Sequence, residues 1–354
     1  MSHFFYGAIE GFYGRQWSWQ ARKDYARFFR RFGFGAYIYA PKGDSFLRSR
    51  WRELHPEFEW EQLRDLAAEY QRQGVKWGMG LSPLGLGEKY RQEDKKKLVD
   101  KVLRINELNP DILCVLFDDM RGDVDGILSR QLDVIADVMV ASSARQLIVC
   151  PTYYSFDPIL EQVFGAMPPR YLEMLGESLP EGVGIFWTGD RVISSDYSAA
   201  AASKITELLQ RKPILWDNYP VNDGRLTSKF LHLEPYKGRP VAIREWYAGH
   251  MVNPMNQPLL SQLVLQSLAG LYSGGLSDPN AAFDRGLHLL QDGHLEGKLR
   301  RDSEAFQYRG LDNLSKRQRH DLIGDYQAID HAVAREVVDW LSGEYQFDPA
   351  CLTD

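Results

Sequence analysis

The sequence predicts an α/β fold, a closed parallel (β/α)8 barrel of the TIM type, followed by a small C-terminal helical extension. Three observations carry this. Short apolar runs rich in β-branched and aromatic residues occur eight times, helical segments of 3.6-residue periodicity lie between them, and the alternation stops near residue 275. Eight strand-and-helix units in that length match a closed barrel, whereas an open doubly wound sheet usually carries fewer strands.

The expected strands, in order, are "YGAIEGFYG", "GAYIYAPK", "VKWGMGLSP", "ILCVLFDD", "QLIVCPTYY", "GVGIFWTG", "KPILWDN" and "RPVAIREWYAG". Amphipathic helices are expected at "SWQARKDYARFFRRFG", "EWEQLRDLAAEYQRQG", "EDKKKLVDKVLRINEL" and "LSRQLDVIADVMVASSA", with "LLSQLVLQSLAGLYSG" as the last helix of the barrel. The barrel is therefore assigned to residues 1–275 and the extension to 276–354. Within the extension, helices are expected at "AAFDRGLHLLQDG", "RDSEAFQYRG" and "AIDHAVAREVVDWLSGEY". The apolar stripe of the last one, Ile329, Val333, Val337 and Trp340, is expected to pack on the barrel, with a homodimer contact as the alternative.

Composition narrows the function classes. Of 354 residues 44% are hydrophobic and 25% charged, ordinary values for a folded globular chain. A net charge of −6 argues against a nucleic-acid partner, because phosphate recognition needs a clustered basic surface; the dense run "KYRQEDKKKLVDK" alternates with acids and reads as a solvated helix face. The N-terminus has no signal-peptide pattern and no apolar run is long enough to span a membrane, so a cytoplasmic protein without a membrane partner is expected. Three scattered cysteines make neither a disulfide framework nor a metal motif, and no cofactor or metal is expected.

In a barrel of this kind the chemistry is carried by the loops at the C-terminal ends of the strands. Those positions hold Glu10, Gly11, Lys42, Asp118, Asp119, Tyr154, Thr188, Trp216, Asn218 and Asn253. Singly, each has a structural explanation as a cap, a turn residue or core. Together, a lysine, a carboxylate pair, a tyrosine, two asparagines and an aromatic suit a neutral polyhydroxylated ligand such as a sugar.

The adjacent carboxylates Asp118 and Asp119 are unusual for sugar chemistry. Most glycosidases place two carboxyl groups on opposite sides of the scissile bond, about 5 to 9.5 Å apart. Neighbours on a strand point to opposite faces, so both can reach one ligand only where the strand end curls, and then from one general direction. That arrangement makes sense if the substrate supplies its own nucleophile, a 2-acetamido oxygen that closes an oxazoline. One carboxylate then orients the acetamido N–H, and the other serves as acid and later as base. Like-charge coupling within the pair keeps one of them protonated.

The motifs "GAIEGFYGRQW", "YIYAPKGD", "LFDDM", "PTYY", "WTGDRV", "WDNYPVND" and "VNP", in this order over residues 5–255, resemble those of the family 84 glycoside hydrolases, the β-N-acetylglucosaminidases that include the O-GlcNAcases. The resemblance implies a retaining, substrate-assisted hydrolase of terminal β-linked GlcNAc. It implies that Asp118 polarises the acetamido group and that Asp119 is the general acid and base. It further implies that Gly11 and Lys42 hold ring hydroxyls, that Tyr154 sits beside the acetamido oxygen, and that Thr188 and Trp216 line the acetyl pocket. Val192 is placed toward the aglycone, and Asn218, Asp223 and Asn253 on the remaining hydroxyls. "PTYY" departs from the family's Thr-Glu-Tyr order and "SPLGLG" from its Ser-Pro-Gly pattern. Three alternatives remain beside this reading: a Mg²⁺-dependent hydrolase, a GlcNAc-binding barrel that does not cleave, and a hexosaminidase of small glycosides or cell-wall fragments.

Overall fold

The computed structural model describes residues 4–274 and 278–353. Eight parallel strands close into a barrel in sequence order: β1 (Phe5–Glu10), β2 (Ala36–Tyr39), β3 (Lys76–Leu81), β4 (Ile112–Leu116), β5 (Gln146–Cys150), β6 (Gly184–Trp187), β7 (Ile214–Asp217) and β8 (Gly249–Val252). Closure is made by β1 against β8, with Phe5 opposite Gly249 and Ala8 opposite Val252.

Helices α1 (Trp19–Phe32), α2 (Glu57–Gln73), α3 (Gln92–Asn106) and α4 (Ile127–Ala141) follow the first four strands. Their limits follow local chemistry. The Ser18 side chain accepts the Ala21 N–H at the start of α1, and Gly33, at φ 74°, ends it in the left-handed region open to glycine. The second half of the barrel carries α5 (Ile159–Phe164), α6 (Tyr171–Ser178), α7 (Ala199–Leu209), α8 (Ile243–Trp246) and α9 (Pro258–Tyr272).

One strand lies elsewhere than expected. The run "RPVAIREWYAG" forms a turn and the short helix α8, and the eighth strand, "GHMV", begins only at its last residue, Gly249. Polar His250 hides this strand in the sequence. It is fully buried because Tyr272 and Asp217 occupy its two ring nitrogens.

Beyond the barrel come α10 (Pro279–His288), α11 (Gly293–Glu304), α12 (Lys316–Gln327) and α13 (Ala332–Ser342). The boundary expected at 275 and 276 lies outside the described residues. Helix α12, in "KRQRHDLIGDYQ", was not expected, and it buries little beyond Tyr326. The stripe Ile329, Val333, Val337 and Trp340 is buried in a second core with Leu260 and Leu263 of α9 and with Leu231 and Met255. Trp340 Nε1 donates to the Ser228 carbonyl on the barrel side at 3.1 Å. Among the described residues no helix is long and apolar enough to cross a membrane.

Candidate active site

The C-terminal strand ends converge on one cavity lined by Gly11, Lys42, Asp118, Asp119, Tyr154, Thr188, Val192, Trp216, Asn218, Asp223 and Asn253. Every site residue singled out from the sequence is therefore brought to one place. Glu10, also at a strand end, is not: it is fully buried and ion-paired to Arg22 at 2.6 Å, so it supports the barrel wall.

The carboxylate pair follows β4, and the backbone explains how both reach the cavity. Asp119 has φ 56°, a left-handed conformation that few residues other than glycine, asparagine and aspartate adopt. This kink breaks the alternation of the strand, so that Asp119 turns to the same cavity as its neighbour. Asp118 is buried, and its Oδ2 accepts from Lys42 Nζ at 2.5 Å. Its Oδ1 is equally buried and has no hydrogen-bond partner among the described residues. A buried acceptor left unmade costs about 1–3 kcal/mol, so this oxygen is poised for a donor that the described residues do not supply.

Asp119 has a different setting. Tyr13 Oη donates to its Oδ2 at 2.7 Å and Tyr154 Oη to its Oδ1 at 3.1 Å. Burial, and next the charge of Asp118, push its pKa upward; Lys42, Arg48 and the Tyr13 hydrogen bond oppose them. The net direction is up, toward a carboxyl that can start protonated.

The cavity wall is a hydrogen-bonded frame. Trp216 Nε1 donates to Asn218 Oδ1 at 2.8 Å, and Asn253 Nδ2 donates to the same oxygen at 3.0 Å. Asn218 Nδ2 in turn reaches the Val192 carbonyl at 3.0 Å. Thr188 is fixed by its N–H on the Tyr154 carbonyl, and its hydroxyl donates to the Arg191 carbonyl. Gly11 is required by space, because a Cβ there would stand 2.5 Å from Cζ2 of Trp216. Below this frame, Asp217 accepts two Arg239 hydrogen bonds of 2.8 and 2.9 Å. Burial alone would raise the Asp217 pKa, yet the Arg239 charge holds it well below the usual carboxylate range.

Two residues missed in the sequence complete the site. Tyr13 bridges it, its hydroxyl on Asp119 and its backbone N–H on Asp223 Oδ2 at 2.7 Å. Arg48 places its guanidinium over the Tyr13 ring and donates to the Asp119 carbonyl at 3.3 Å. Tyr13 could have been found, since it follows Gly11 within the "EGFYG" motif; nothing in the sequence near Arg48 marks it. Among the described residues no cluster of three or more His, Cys, Asp or Glu is placed to hold a metal ion.

A closed (β/α)8 barrel with a polar cavity and a carboxylate pair at its C-terminal strand ends is the architecture of a barrel glycoside hydrolase. Residues 6–291 match the family model described as NAGidase, beta-N-acetylglucosaminidase, and the chain belongs to that family. It is similar to the Protein O-GlcNAcase of Rattus norvegicus and that of Mus musculus, 27% identical over 284 residues in each case. That match covers 77% of this chain and 30% of the rat and mouse proteins, so the chain spans under a third of their length. A mutant O-GlcNAc hydrolase of Thermobaculum terrenum is similar in structure, with a TM-score of 0.78, 27% identity, and coverage of 98% of this chain and 82% of that one. The structure titled CpGH84B shares the fold, with a TM-score of 0.77 at 22% identity, covering 96% and 66% of the two chains.

Proposed function

We propose that this protein is a retaining β-N-acetylglucosaminidase that removes terminal β-linked GlcNAc by substrate-assisted hydrolysis, acting as a cytoplasmic enzyme. Family membership supports the substrate, and the names of the rat, mouse and Thermobaculum relatives favour GlcNAc O-linked to protein over small glycosides. The observation that carries the mechanism is the unpartnered Oδ1 of Asp118 beside a second carboxyl whose proton is held more tightly than usual.

In the first step the acetamido carbonyl oxygen attacks the anomeric carbon, and the bond from that carbon to the aglycone oxygen breaks. Asp119 gives its proton to the departing oxygen. Asp118 Oδ1 accepts the acetamido N–H and stabilises the positive charge that develops on it, while Lys42 keeps the other oxygen in place. In the second step Asp119, now a carboxylate, takes a proton from water as the water adds to the anomeric carbon and the oxazoline opens. Two inversions at that carbon leave the configuration retained. Tyr154 stands beside Asp119 and serves the acetamido oxygen, Thr188 and Trp216 enclose the methyl group, and Val192 lies on the aglycone side. Gly11, Lys42, Asn218, Asp223 and Asn253 meet the ring hydroxyls.

The test is hydrolysis of an aryl β-N-acetylglucosaminide by the wild type, Asp118→Ala and Asp119→Ala, with an aryl β-glucoside as control. Turnover of the acetamido substrate alone is expected. Asp118→Ala should slow every substrate, whereas Asp119→Ala should harm poor leaving groups far more than activated aryl ones, which need little protonation. Equal losses for both substrate types in Asp119→Ala would refute its role, and wild-type binding without turnover would leave a GlcNAc-binding barrel.

A further inference from the structure

The cavity over the carboxylate pair has two lining residues that come from none of the strand ends, Cys351 and Thr353. The chain reaches it from α13. Gly343, at φ 82°, ends that helix, Tyr345 packs under the Arg15 guanidinium at 4.7 Å, and the chain then runs toward the barrel mouth. At residues 348–351 it turns, with the Cys351 N–H on the Asp348 carbonyl and the Ala350 N–H on Asp348 Oδ1, both at 2.9 Å. After the turn Leu352 points outward, 51% exposed, while Thr353 is buried. The Thr353 hydroxyl lies 3.3 Å from Tyr154 Oη, the same phenol that donates to Asp119.

The volume left is decisive. With this segment in place the cavity measures about 50 Å³. Small-molecule pockets run to about 300–1,000 Å³, so the space left over the pair is small. A glycoside at the carboxylate pair and the segment on Tyr154 compete for it. The barrel wall is tied by the Trp216, Asn218 and Asn253 hydrogen bonds described above, whereas the segment follows a turn, reaches Tyr154 through a long hydrogen bond and has the charge of Asp348 facing Arg48. The segment is the part able to move.

We propose that residues 348–353 are a built-in occupant of the sugar pocket, with Thr353 seated on Tyr154 where the acetamido group is read to lie, and that substrate binds by displacing them. This rests on the glycosidase reading above. The pocket is thus a docking surface for a segment of its own chain, and substrate competes with that segment for it. Occupancy of the closed state multiplies the apparent affinity by the open fraction, so the segment raises KM without touching the chemical step.

Two measurements on the 354-residue chain test this. In the first, residues 348–353 are replaced by a Gly-Ser stretch of equal length and the aryl β-N-acetylglucosaminide is assayed. KM is expected to fall by about threefold or more with kcat within about twofold, and Thr353→Ala should shift KM the same way by less. The second uses the wild type alone. Cys351 is part-buried in the cavity, Cys150 lines its floor and is buried, and Cys114 is fully buried in the barrel, so labelling by iodoacetamide is read separately at Cys351 by peptide mass spectrometry. Saturating N-acetylglucosamine should speed that labelling several-fold as the segment leaves. An unchanged KM together with Cys351 labelling indifferent to the sugar overturns the proposal while leaving the glycosidase reading intact. Turnover by neither protein overturns both.

Discussion

At the scale of single residues, Asp118 and Asp119 differ by what surrounds them. Asp118 gives one oxygen to Lys42 and has no partner for the other among the described residues, whereas Asp119 receives a phenol on each oxygen. Of these phenols, Tyr13 also ties its own backbone to Asp223, so it links the proposed acid and base to a residue read as holding the sugar. Its hydroxyl donates to Asp119 and thereby favours the ionised form, against the upward push of burial and of Asp118. Tyr13→Phe removes that donor, so the Asp119 pKa should rise further. The alkaline limb of the kcat/KM profile, where the general acid loses its proton, is expected to move up by about one pH unit. A profile unmoved by the substitution would show that Tyr13 does not act on Asp119. The carboxylate pair was legible in the sequence because two charges ending an apolar run are conspicuous. Tyr13 could be picked out by its motif but not its partner, and Arg48 not at all, since their roles lie in contacts that span 106 and 71 residues of chain.

At the scale of elements, strands with unbroken apolar runs announced themselves, and the one that failed to do so encloses a polar network. In β8, His250 faces Asp217 at the end of β7, and Arg239 supplies the charge that balances Asp217. Arg239 comes from the loop that was expected to start the strand, and it spends its remaining donors on the carbonyls of Ser194, Ser195 and Lys237. One guanidinium therefore joins the ends of β7 and β8, which carry Trp216, Asn218 and Asn253, to the loop after β6. Removing one partner of a buried pair strands the other charge, at a cost of about 3–5 kcal/mol. Arg239→Ala should lower the stability measured by urea unfolding by that order, and in whatever remains folded it should raise KM more than it lowers kcat, because the sugar-facing frame sits above the pair. A loss below about 1 kcal/mol would show that Asp217 finds other partners.

At the scale of the whole molecule, the barrel and the helices beyond it meet at a buried carboxyl. Glu336 of α13 accepts the backbone N–H groups of Leu259 at 3.0 Å and Leu260 at 2.9 Å, in the first turn of α9. Those two hydrogen bonds and the more distant Arg15 favour its charge; burial, aided by Asp339, opposes it more strongly and pushes the pKa up to about 8. The apolar stripe of α13 could be read from periodicity, but Glu336 could not, because on a helical wheel it looks like one more solvated acid. Its shift has a definite sign. An unfolded glutamate releases its proton near pH 4.3, whereas the folded chain holds it to a higher pH, so across that window the folded state binds more protons. Stability attributable to this site is then complete at acid pH and is lost as pH rises toward and through 8, by an amount on the order of a few kcal/mol. Glu336→Gln keeps the size and one acceptor but cannot ionise. Urea midpoints taken at pH 5, 7 and 9 should therefore decline more steeply for the wild type than for the variant, although the variant starts lower at pH 5 for want of the second acceptor. Parallel declines would assign the slope to other groups and leave Glu336 as a cap of α9 that does not titrate on unfolding.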